Sequence, residues 1–268
     1  MVDPQPFFLW HIGCYAILVN VSLYQAASAL NANARWQEVI SENMASSSIP
    51  GFKKQDMSFE AVQAGLLTPT VAGARANGQP LLLPTPRNSI NFSPGEIKRT
   101  DGNTDFAIDG AGFFEVQLPN GTTGYTRDGE FKVNAQGELV TKQGYLVLGE
   151  GGAIQLDRNG SVAMSVAADG TVSQGGQVRG KLNVVAFNDP NLLTPAGGGT
   201  FTAKEGGIQM VDEKGRVRQG FLEGANTSTV MEMANMISVM RAYEANQRVI
   251  QMQDERMGRT ISELGNPS

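Results

Sequence analysis

Residues 229–264, TVMEMANMISVMRAYEANQRVIQMQDERMGRTISEL, decide the fold because they predict one long helix near the C-terminus. Thr229 and Glu232 have the spacing of a capping box, in which a hydroxyl and a carboxylate satisfy the first free amides of a helix. Apolar residues then recur every seven positions, as in helices that pack along one side. They are Met236, Tyr243, Ile250, Met257 and Leu264. At about 1.5 Å per residue the predicted helix is about 54 Å long.

An apolar stripe of this length needs a partner, and two sources of the missing surface are open. Neighbouring chains are one source, since the predicted N-terminal helix is too short to cover the stripe from end to end. The alternative is a helix that folds against its own β domain.

A second helix is predicted near the N-terminus, from Ser22 to Ala45. The segment has no Gly or Pro and is rich in Ala, which favours a helix. Leu23, Leu30 and Ile40 lie along one side of it, and Pro50 and Gly51 end the helical pattern. We expect residues 21–50 to form a terminal helical assembly domain together with residues 226–268.

Residues 1–20 are interpreted as an N-terminal extension or a signal-like segment. Their apolar block from Phe7 to Val19 has no Lys or Arg before it and no small-residue cleavage site after it. We therefore expect translation to begin near Val19 or Val21. The alternative is a functional secretory signal.

The middle of the chain predicts β-structure. Of the 32 glycines, 29 lie between Gly51 and Gly224, many of them in Asn-Gly or Asp-Gly pairs that favour tight hairpins. Residues 95–225 are predicted to form a β-rich domain that includes one long strand at Gln177–Phe187. Residues 51–94 are predicted to be an extended connector, without regular structure in the proline-rich part from Ala64 to Pro94. The predicted class is α+β, with N- and C-terminal helices forming a coiled-coil-like α domain around a central all-β domain of hairpins.

The composition excludes several classes of function. A net charge of −5, with 21 Lys and Arg among 26 Asp and Glu, offers no basic surface for nucleic acid. The single Cys and single His, Cys14 and His11, leave no parts for a Ser-His-Asp or Cys-His site or for a zinc site. We expect no catalytic residues, no small-molecule substrate and no cofactor. The remaining enzymatic alternative is a glycosidase that uses two carboxylates.

One segment has a partial calcium-loop pattern. Asp101, Asn103 and Asp105 are spaced like the first ligands of an EF-hand loop. The pattern then fails, because Phe106 stands where the turn requires Gly and Gly112 stands where a bidentate Glu is needed. We expect no metal site.

Three segments, in the right order, resemble the bacterial flagellar basal-body rod and hook proteins. The first is residues 41–53, SENMASSSIPGFK, in which Asn43, Ala45, Gly51, Phe52 and Lys53 fit the pattern that follows that family's N-terminal helix. The second comprises residues 106–114, FAIDGAGFF, with 125–129, YTRDG, and the pair 144–145. The third comprises residues 217–223, VRQGFLE, with Asn226 and residues 236–244.

The resemblance implies a structural subunit, not an enzyme, that self-assembles as part of the axial drive shaft for motility. Its terminal helices would form the inner coiled-coil layer of a tubular rod and its β domain the outer layer. The implied partners are copies of itself, other rod and hook proteins, and the flagellar export apparatus, which exports subunits without a cleaved signal. The implied location is the flagellar basal body, spanning the periplasm. The length after the N-terminal extension favours the proximal rod protein over the distal one.

With this resemblance, two groups of residues become candidate sites. The predicted assembly interface consists of Leu23, Leu30, Ile40, Asn43, Gly51, Phe52, Met236, Met240, Tyr243, Ile250, Met257 and Leu264. The predicted structural motif of the β domain consists of Asp109, Gly110, Gly112, Phe113, Phe114, Arg127 and Gly129. The alternative function is a secreted β-domain binding protein or adhesin with a cleaved N-terminal signal.

Overall fold

The computed structural model describes residues 6–67, 79–157, 164–203, 209–211 and 215–265. Two long helices, α1 (Pro6–Ala45) and α2 (Thr229–Gly265), enclose in sequence a region built mainly from strands. The predicted α+β class, with a helix near each end and a β-rich middle, is confirmed. In its described part, neither helix has a stretch that is long and apolar enough to cross a bilayer.

The helices differ from prediction at their N-terminal ends. α1 ends at Ala45 as predicted but begins at Pro6, because the apolar block before Ser22 contains no residue that stops a helix. α2 begins at Thr229, yet the backbone carbonyl of Ser228 accepts the first helical hydrogen bond from Glu232 N at 2.9 Å, so the cap lies one residue earlier than predicted. The Thr229 hydroxyl instead lies 2.9 Å from the Ser47 hydroxyl.

Nineteen strands occur among the described residues. They are β1 (Gln55–Leu67), β2 (Gln79–Ile90), β3 (Ile97–Arg99), β4 (Phe106–Asp109), β5 (Phe113–Gln117), β6 (Thr123–Thr126), β7 (Phe131–Val133), β8 (Leu139–Thr141), β9 (Leu146–Gly149), β10 (Gly152–Ala153), β11 (Met164–Val166), β12 (Thr171–Gln174), β13 (Gln177–Lys181), β14 (Val184–Phe187), β15 (Leu193–Gly197), β16 (Thr200–Ala203), β17 (Met210–Val211), β18 (Arg216–Gln219) and β19 (Phe221–Glu223). A short 3₁₀ helix, Pro190–Leu192, precedes β15.

The strands form one large sheet and several small ones. The large sheet has ten strands with the central order β15-β16-β6-β5-β9-β8-β7, and β10, β14 and β17 attach at its side. β11, β12 and β13 form a three-stranded sheet, and β1 pairs with β2 as a two-stranded ribbon. Late strands return to early ones, since β18 pairs with β4 and β19 pairs with β3. The segment that enters α2 is thereby held beside the segment that opens the β region.

Two apolar clusters fill the β region. The larger includes Phe106, Phe114 and Phe131, each at most 1% exposed, and it draws on residues from the large sheet and the three-stranded sheet. The smaller is aromatic and includes Phe113 and Tyr125. Burial of large aromatic side chains is the main stabilising contribution available to a region with so many short strands.

Two β predictions were wrong. The predicted strand Gln177–Phe187 is two strands, β13 and β14, that belong to different sheets. The strand is interrupted between them, where Leu182 N donates to the Gly170 carbonyl and Asn183 N donates to the Leu148 carbonyl. The proline-rich part of the connector is not without regular structure, because Gln79–Ile90 forms β2. Both strands of a two-stranded ribbon are edge strands, which is the place where prolines are tolerated in sheets.

The chain divides into two compact units. The first contains residues 1–41, 56–89 and 233–268. Within it, the rings of Trp36 on α1 and Phe59 on β1 meet edge to face at 5.5 Å. The second contains residues 42–55 and 90–232, which include the turn after α1, the β-sheets other than the ribbon and the first residues of α2.

Candidate functional site

The turn that follows α1 is fixed by one asparagine side chain. Asn43, 2% exposed, donates from Nδ2 to the Gln55 carbonyl at 2.8 Å and accepts from Gln55 N at 2.8 Å. This pair of bonds imitates a strand pairing and closes the loop between α1 and β1. Its geometry requires an amide side chain, because only an amide both donates and accepts in this arrangement.

Gly51 lies where the loop crosses the backbone of another segment. Its φ is +66°, and a Cβ atom at this position would lie 2.2 Å from the backbone carbon of Arg127. Its N–H donates to the Glu223 carbonyl at 2.7 Å. Only glycine permits both the left-handed conformation and the close approach.

A buried ionic cluster lies beside this crossing. Lys53 Nζ is 2.6 Å from Glu223 Oε1, and Arg127 Nη1 is 3.0 Å from Glu223 Oε2. The Lys53 and Glu223 side chains are each 1% exposed and that of Arg127 is 8% exposed. Gly95 N donates to the same carboxylate at 2.9 Å. One carboxylate therefore accepts from three parts of the chain that are far apart in sequence.

The cations of the cluster have further partners. Lys53 Nζ donates to the Ser93 carbonyl at 2.8 Å, and the Arg127 guanidinium donates to the carbonyls of Ile108 and Gly110. Burial lowers the pKa of Lys53 and the pKa of Arg127 below their usual ranges, and the carboxylate of Glu223 opposes both shifts. Two buried cations share one buried anion, so loss of the carboxylate would leave both cations buried without a counter-charge.

Asn226 joins the segment before α2 to the same place. Its Oδ1 accepts from Lys54 N at 2.7 Å, and its Nδ2 donates to the carbonyls of Asn91 and Ser93. Its backbone N–H donates to the Phe52 carbonyl at 3.2 Å. We call the set Asn43, Gly51, Phe52, Lys53, Arg127, Glu223 and Asn226 the junction, because it ties the end of α1, the β-sheets and the entry to α2 together.

The predicted structural motif of the β domain shares Arg127 with the junction. Phe113 and Phe114 are buried in the two apolar clusters, and the Arg127 guanidinium carbon lies 5.3 Å from the centroid of the Phe113 ring. Gly110 and Gly112 have φ values of +113° and +128°, so both need glycine's freedom. Asp109 is exposed and lies 3.5 Å from Arg218.

Gly129 is the tightest position of this motif. A Cβ atom there would lie 1.8 Å from the backbone oxygen of Phe106, while Phe106 N donates to the Gly129 carbonyl at 3.0 Å. The two backbones are therefore in direct contact. No side chain fits between them.

Asp128 is a buried carboxyl group next to the junction. It is 4% exposed, and its Oδ1 accepts from Glu130 N at 2.9 Å. Burial raises its pKa to about 6, and the hydrogen bond from Glu130 N opposes the shift. Its geometry is that of a turn-forming side chain, because both its backbone N–H and its carboxylate bond residues two positions away.

The structure separates the predicted assembly residues into two groups. Ile40, Asn43, Gly51 and Phe52 are buried within the chain, three of them in the junction. Half-buried positions on the helices are Leu23, Leu30, Met236, Tyr243, Ile250 and Met257. Met240 is 51% exposed, and the Leu264 side chain lies outside the described residues.

A second apolar row on α2 is mostly exposed to solvent. Val230, Met233, Ile237 and Met240 are 78%, 54%, 53% and 51% exposed and are spaced three, four and three residues apart. We call these four residues the exposed stripe. At about 100° per residue it lies roughly 130° around the helix from buried Glu232 and Val239. The exposed stripe and the buried side of α2 therefore face different directions.

Among the described residues, no set of three His, Cys, Asp or Glu side chains is placed to hold a metal ion. In the partial calcium loop, Asp105 accepts a hydrogen bond from the Thr100 hydroxyl at 2.6 Å, so its carboxylate serves the turn.

Sequence reasoning did not assign Lys53, Glu223 or Asn226 to a site, although all three fall in the segments that carry the resemblance. The available signal was the presence of Lys53 and Glu223 next to apolar residues in the sequence, because a buried Lys or Glu is seldom found in proteins unless it is paired. The two residues are too far apart in the chain for the sequence to show that they pair with each other.

Comparisons with known proteins agree with the three segments. The family model described as the flagellar hook protein FlgE/F/G D1 domain matches residues 107–174, and the one described as the flagellar basal body rod FlgEFG protein C-terminal matches residues 218–263. The chain is 33% identical to the flagellar basal-body rod protein FlgG of Borreliella burgdorferi and 31% identical to that of Buchnera aphidicola, in each case over 88% of this chain and 96% of the relative. It is 31% identical to the flagellar basal-body rod protein FlgF of Caulobacter vibrioides, over 91% of this chain and 98% of the relative.

Proposed function

Because this chain belongs to the flagellar basal-body rod protein family, we propose that it is a self-assembling structural subunit of the proximal rod. Its function is then mechanical, not enzymatic. The terminal helices make the contacts to copies of itself and to other rod and hook proteins. The observation that carries this proposal is the exposed stripe on α2.

The exposed stripe is unusual for a surface. Four apolar side chains, each more than half exposed, follow one another over about three turns of a helix. Contiguous apolar rows of this kind favour contact with another protein. Their 3-4-3 spacing is the spacing with which one helix packs against another.

The strength expected of such a contact fits a polymer. Covering four half-exposed side chains contributes roughly 1 kcal/mol each, on the scale of apolar burial. That sum is no larger than the lower estimates of what two free molecules lose on association, about 4 kcal/mol. A single contact is therefore weak, and stability comes from the several contacts that each subunit makes in an assembly.

The half-buried row of α2 supports a coiled-coil-like inner layer. Met236, Tyr243, Ile250 and Met257 keep a strict seven-residue period and are each partly covered. The intervening seam position at Gln253 is polar, and its Oε1 is buried without a hydrogen-bond partner. A polar seam position lowers stability but specifies register. We infer a helical layer in which Gln253 helps to specify the register of the helices at a cost in stability.

The junction supports the mechanical part of the proposal. The buried cluster of Lys53, Arg127 and Glu223 and the bonds of Asn43 and Asn226 fix the backbone at the end of α1 and before α2. A subunit that carries a mechanical load needs a backbone that is fixed at these points. In this reading, residues 21–50 with 226–268 are the assembly domain, 51–94 the connector and 95–225 the outer domain.

The remaining parts of the proposal concern place and delivery. The subunit lies in the basal body, in the part of the rod that spans the periplasm, and reaches it through the flagellar export apparatus without a cleaved signal. The relatives include both FlgG and FlgF proteins. The assignment to the proximal rod follows from chain length.

A single substitution in the exposed stripe tests the assembly role. In cells that lack the native gene, Ile237→Asp is expected to abolish swimming and to remove the protein from isolated basal bodies, because a charge would enter an apolar contact. The matched control is Gln247→Asp, also exposed on α2, which is expected to leave swimming intact. Normal incorporation of the Ile237→Asp protein would refute the assembly role of the stripe.

A further inference from the structure

Methionine is concentrated on α2. Six of the 11 methionines of the chain lie in this helix of 37 residues. Two of them, Met233 and Met240, belong to the exposed stripe and are 54% and 51% exposed. In contrast, Met164 of the β region is buried in the larger apolar cluster and is 8% exposed.

Exposure decides which thioethers react with an oxidant. A peroxide transfers one oxygen atom to the methionine sulfur, whose lone pair forms the S–O bond as the O–O bond breaks, and the peroxide leaves as water or an alcohol. The sulfur is oxidised by two electrons and the peroxide is reduced. The product, methionine sulfoxide, is polar, and reductases can convert it back. Met233 and Met240 are therefore accessible in the free subunit, whereas Met164 is protected.

We propose that Met233 and Met240 form an oxidation-sensitive modification site, at which a peroxide converts the exposed stripe from apolar to polar and blocks subunit assembly reversibly. The inference rests on the assembly role proposed above for the stripe. Ile237 lies between the two methionines along the stripe, so two sulfoxides would place an unpaired polar group on each side of it in the contact.

The chain provides matched controls. Met231 is 62% exposed but lies nine residues before Met240, which places it on the opposite side of the helix at about 100° per residue. Met210, on β17, is 65% exposed and far in sequence from the stripe. Both are expected to oxidise readily without affecting the contact.

The experiment uses the purified full-length chain before and after treatment with hydrogen peroxide. Sulfoxide at each methionine is quantified by peptide mass spectrometry, and self-association is measured by sedimentation over a range of concentrations. The variants are Met233→Leu with Met240→Leu, and the control Met210→Leu with Met231→Leu. Treated wild type and control are expected to need about tenfold higher concentration or more to associate, since a buried polar group without a partner is costly.

The outcomes separate this inference from the assembly role. Support requires that the Met233→Leu, Met240→Leu chain associates as strongly after treatment as the same variant does before treatment, and that a methionine sulfoxide reductase restores the treated wild type. Equal loss in both variants, or unchanged association of wild type with sulfoxide at Met233 and Met240, overturns the inference and leaves the assembly role standing. If untreated wild type does not self-associate at any concentration, the assembly role fails and the inference fails with it.

Discussion

The most informative perturbation is Glu223→Gln, because this side chain is the only anion within the buried cluster of the junction. Glutamine keeps the size and one carbonyl oxygen, but it removes the charge and turns an NH₂ group toward cations. Lys53 and Arg127 would then remain 1% and 8% exposed without a carboxylate between them. The substitution therefore tests charge balance with almost no change in packing.

The magnitude follows from what each variant leaves behind. Removing one partner from a buried ion pair typically costs about 3 to 5 kcal/mol, so Glu223→Gln is expected to lower the free energy of unfolding by that amount. Lys53→Met leaves Glu223 paired with Arg127 one to one, and Asn226 still donates to the Ser93 carbonyl at 3.0 Å. The loss there is about that of one charged hydrogen bond, 1.5 to 3 kcal/mol. Glu223→Gln is therefore expected to lower the free energy of unfolding more than Lys53→Met does.

The assay is equilibrium unfolding of the full chain in urea, followed by near-ultraviolet circular dichroism of the aromatic cluster around Tyr125, which reports on the β region. The control is Glu130→Gln, the same chemical change in a partly exposed pair with Lys142 at 3.3 Å, where a loss below about 1 kcal/mol is expected. The reasoning would be refuted by a Glu223→Gln loss no larger than that of the control, or smaller than that of Lys53→Met.

Three further predictions concern single positions. Asp128 has a folded-state pKa of about 6 against an ordinary 3.8. The protonated group therefore stabilises the fold at low pH, and up to about 3 kcal/mol of stability is lost as the pH rises through 6. Urea unfolding at pH 4 and pH 7 should show this loss in wild type and not in Asp128→Asn. Gly129→Ala should lower the melting temperature strongly, because its Cβ would overlap the Phe106 carbonyl, whereas Gly151→Ala, which has open space around it, should not; equal melting temperatures would show that the backbones separate easily. Ile250→Asp, in the half-buried row of α2, should abolish swimming while leaving the β region folded by circular dichroism, and normal swimming would exclude that row from assembly.

The helices were the parts of the fold most accessible to sequence reasoning. Their signals are local, and periodic apolar residues with a stop at Pro50 and Gly51 or a start near Thr229 identify them within a few positions. The N-terminal start of α1 was missed because an apolar block without charge has no helical periodicity to detect. The block lacks strong helix breakers, so it can be helical, but no residue pattern in it indicates a helix.

The junction was beyond sequence reasoning for a different reason. Lys53 and Glu223 are 170 residues apart, and nothing in a single sequence states which distant carboxylate a buried lysine finds. The segments that carry the resemblance contain the junction residues, but they predicted that Asn43, Gly51 and Phe52 contact other subunits. In the structure these residues make contacts within the chain. Asn43 bonds the Gln55 backbone, Gly51 lies against the Arg127 backbone, and the Phe52 carbonyl accepts a hydrogen bond from Asn226 N.

The pairing of β18 with β4 and of β19 with β3 sets the time at which the protein can fold. The strands β3 and β4 pair with residues 216–223, so a nascent chain on the ribosome has made most of its length before these sheets can close. Long-range closure of this kind is slow. The sheets that hold β3 and β4 therefore stay open until most of the chain has been synthesised.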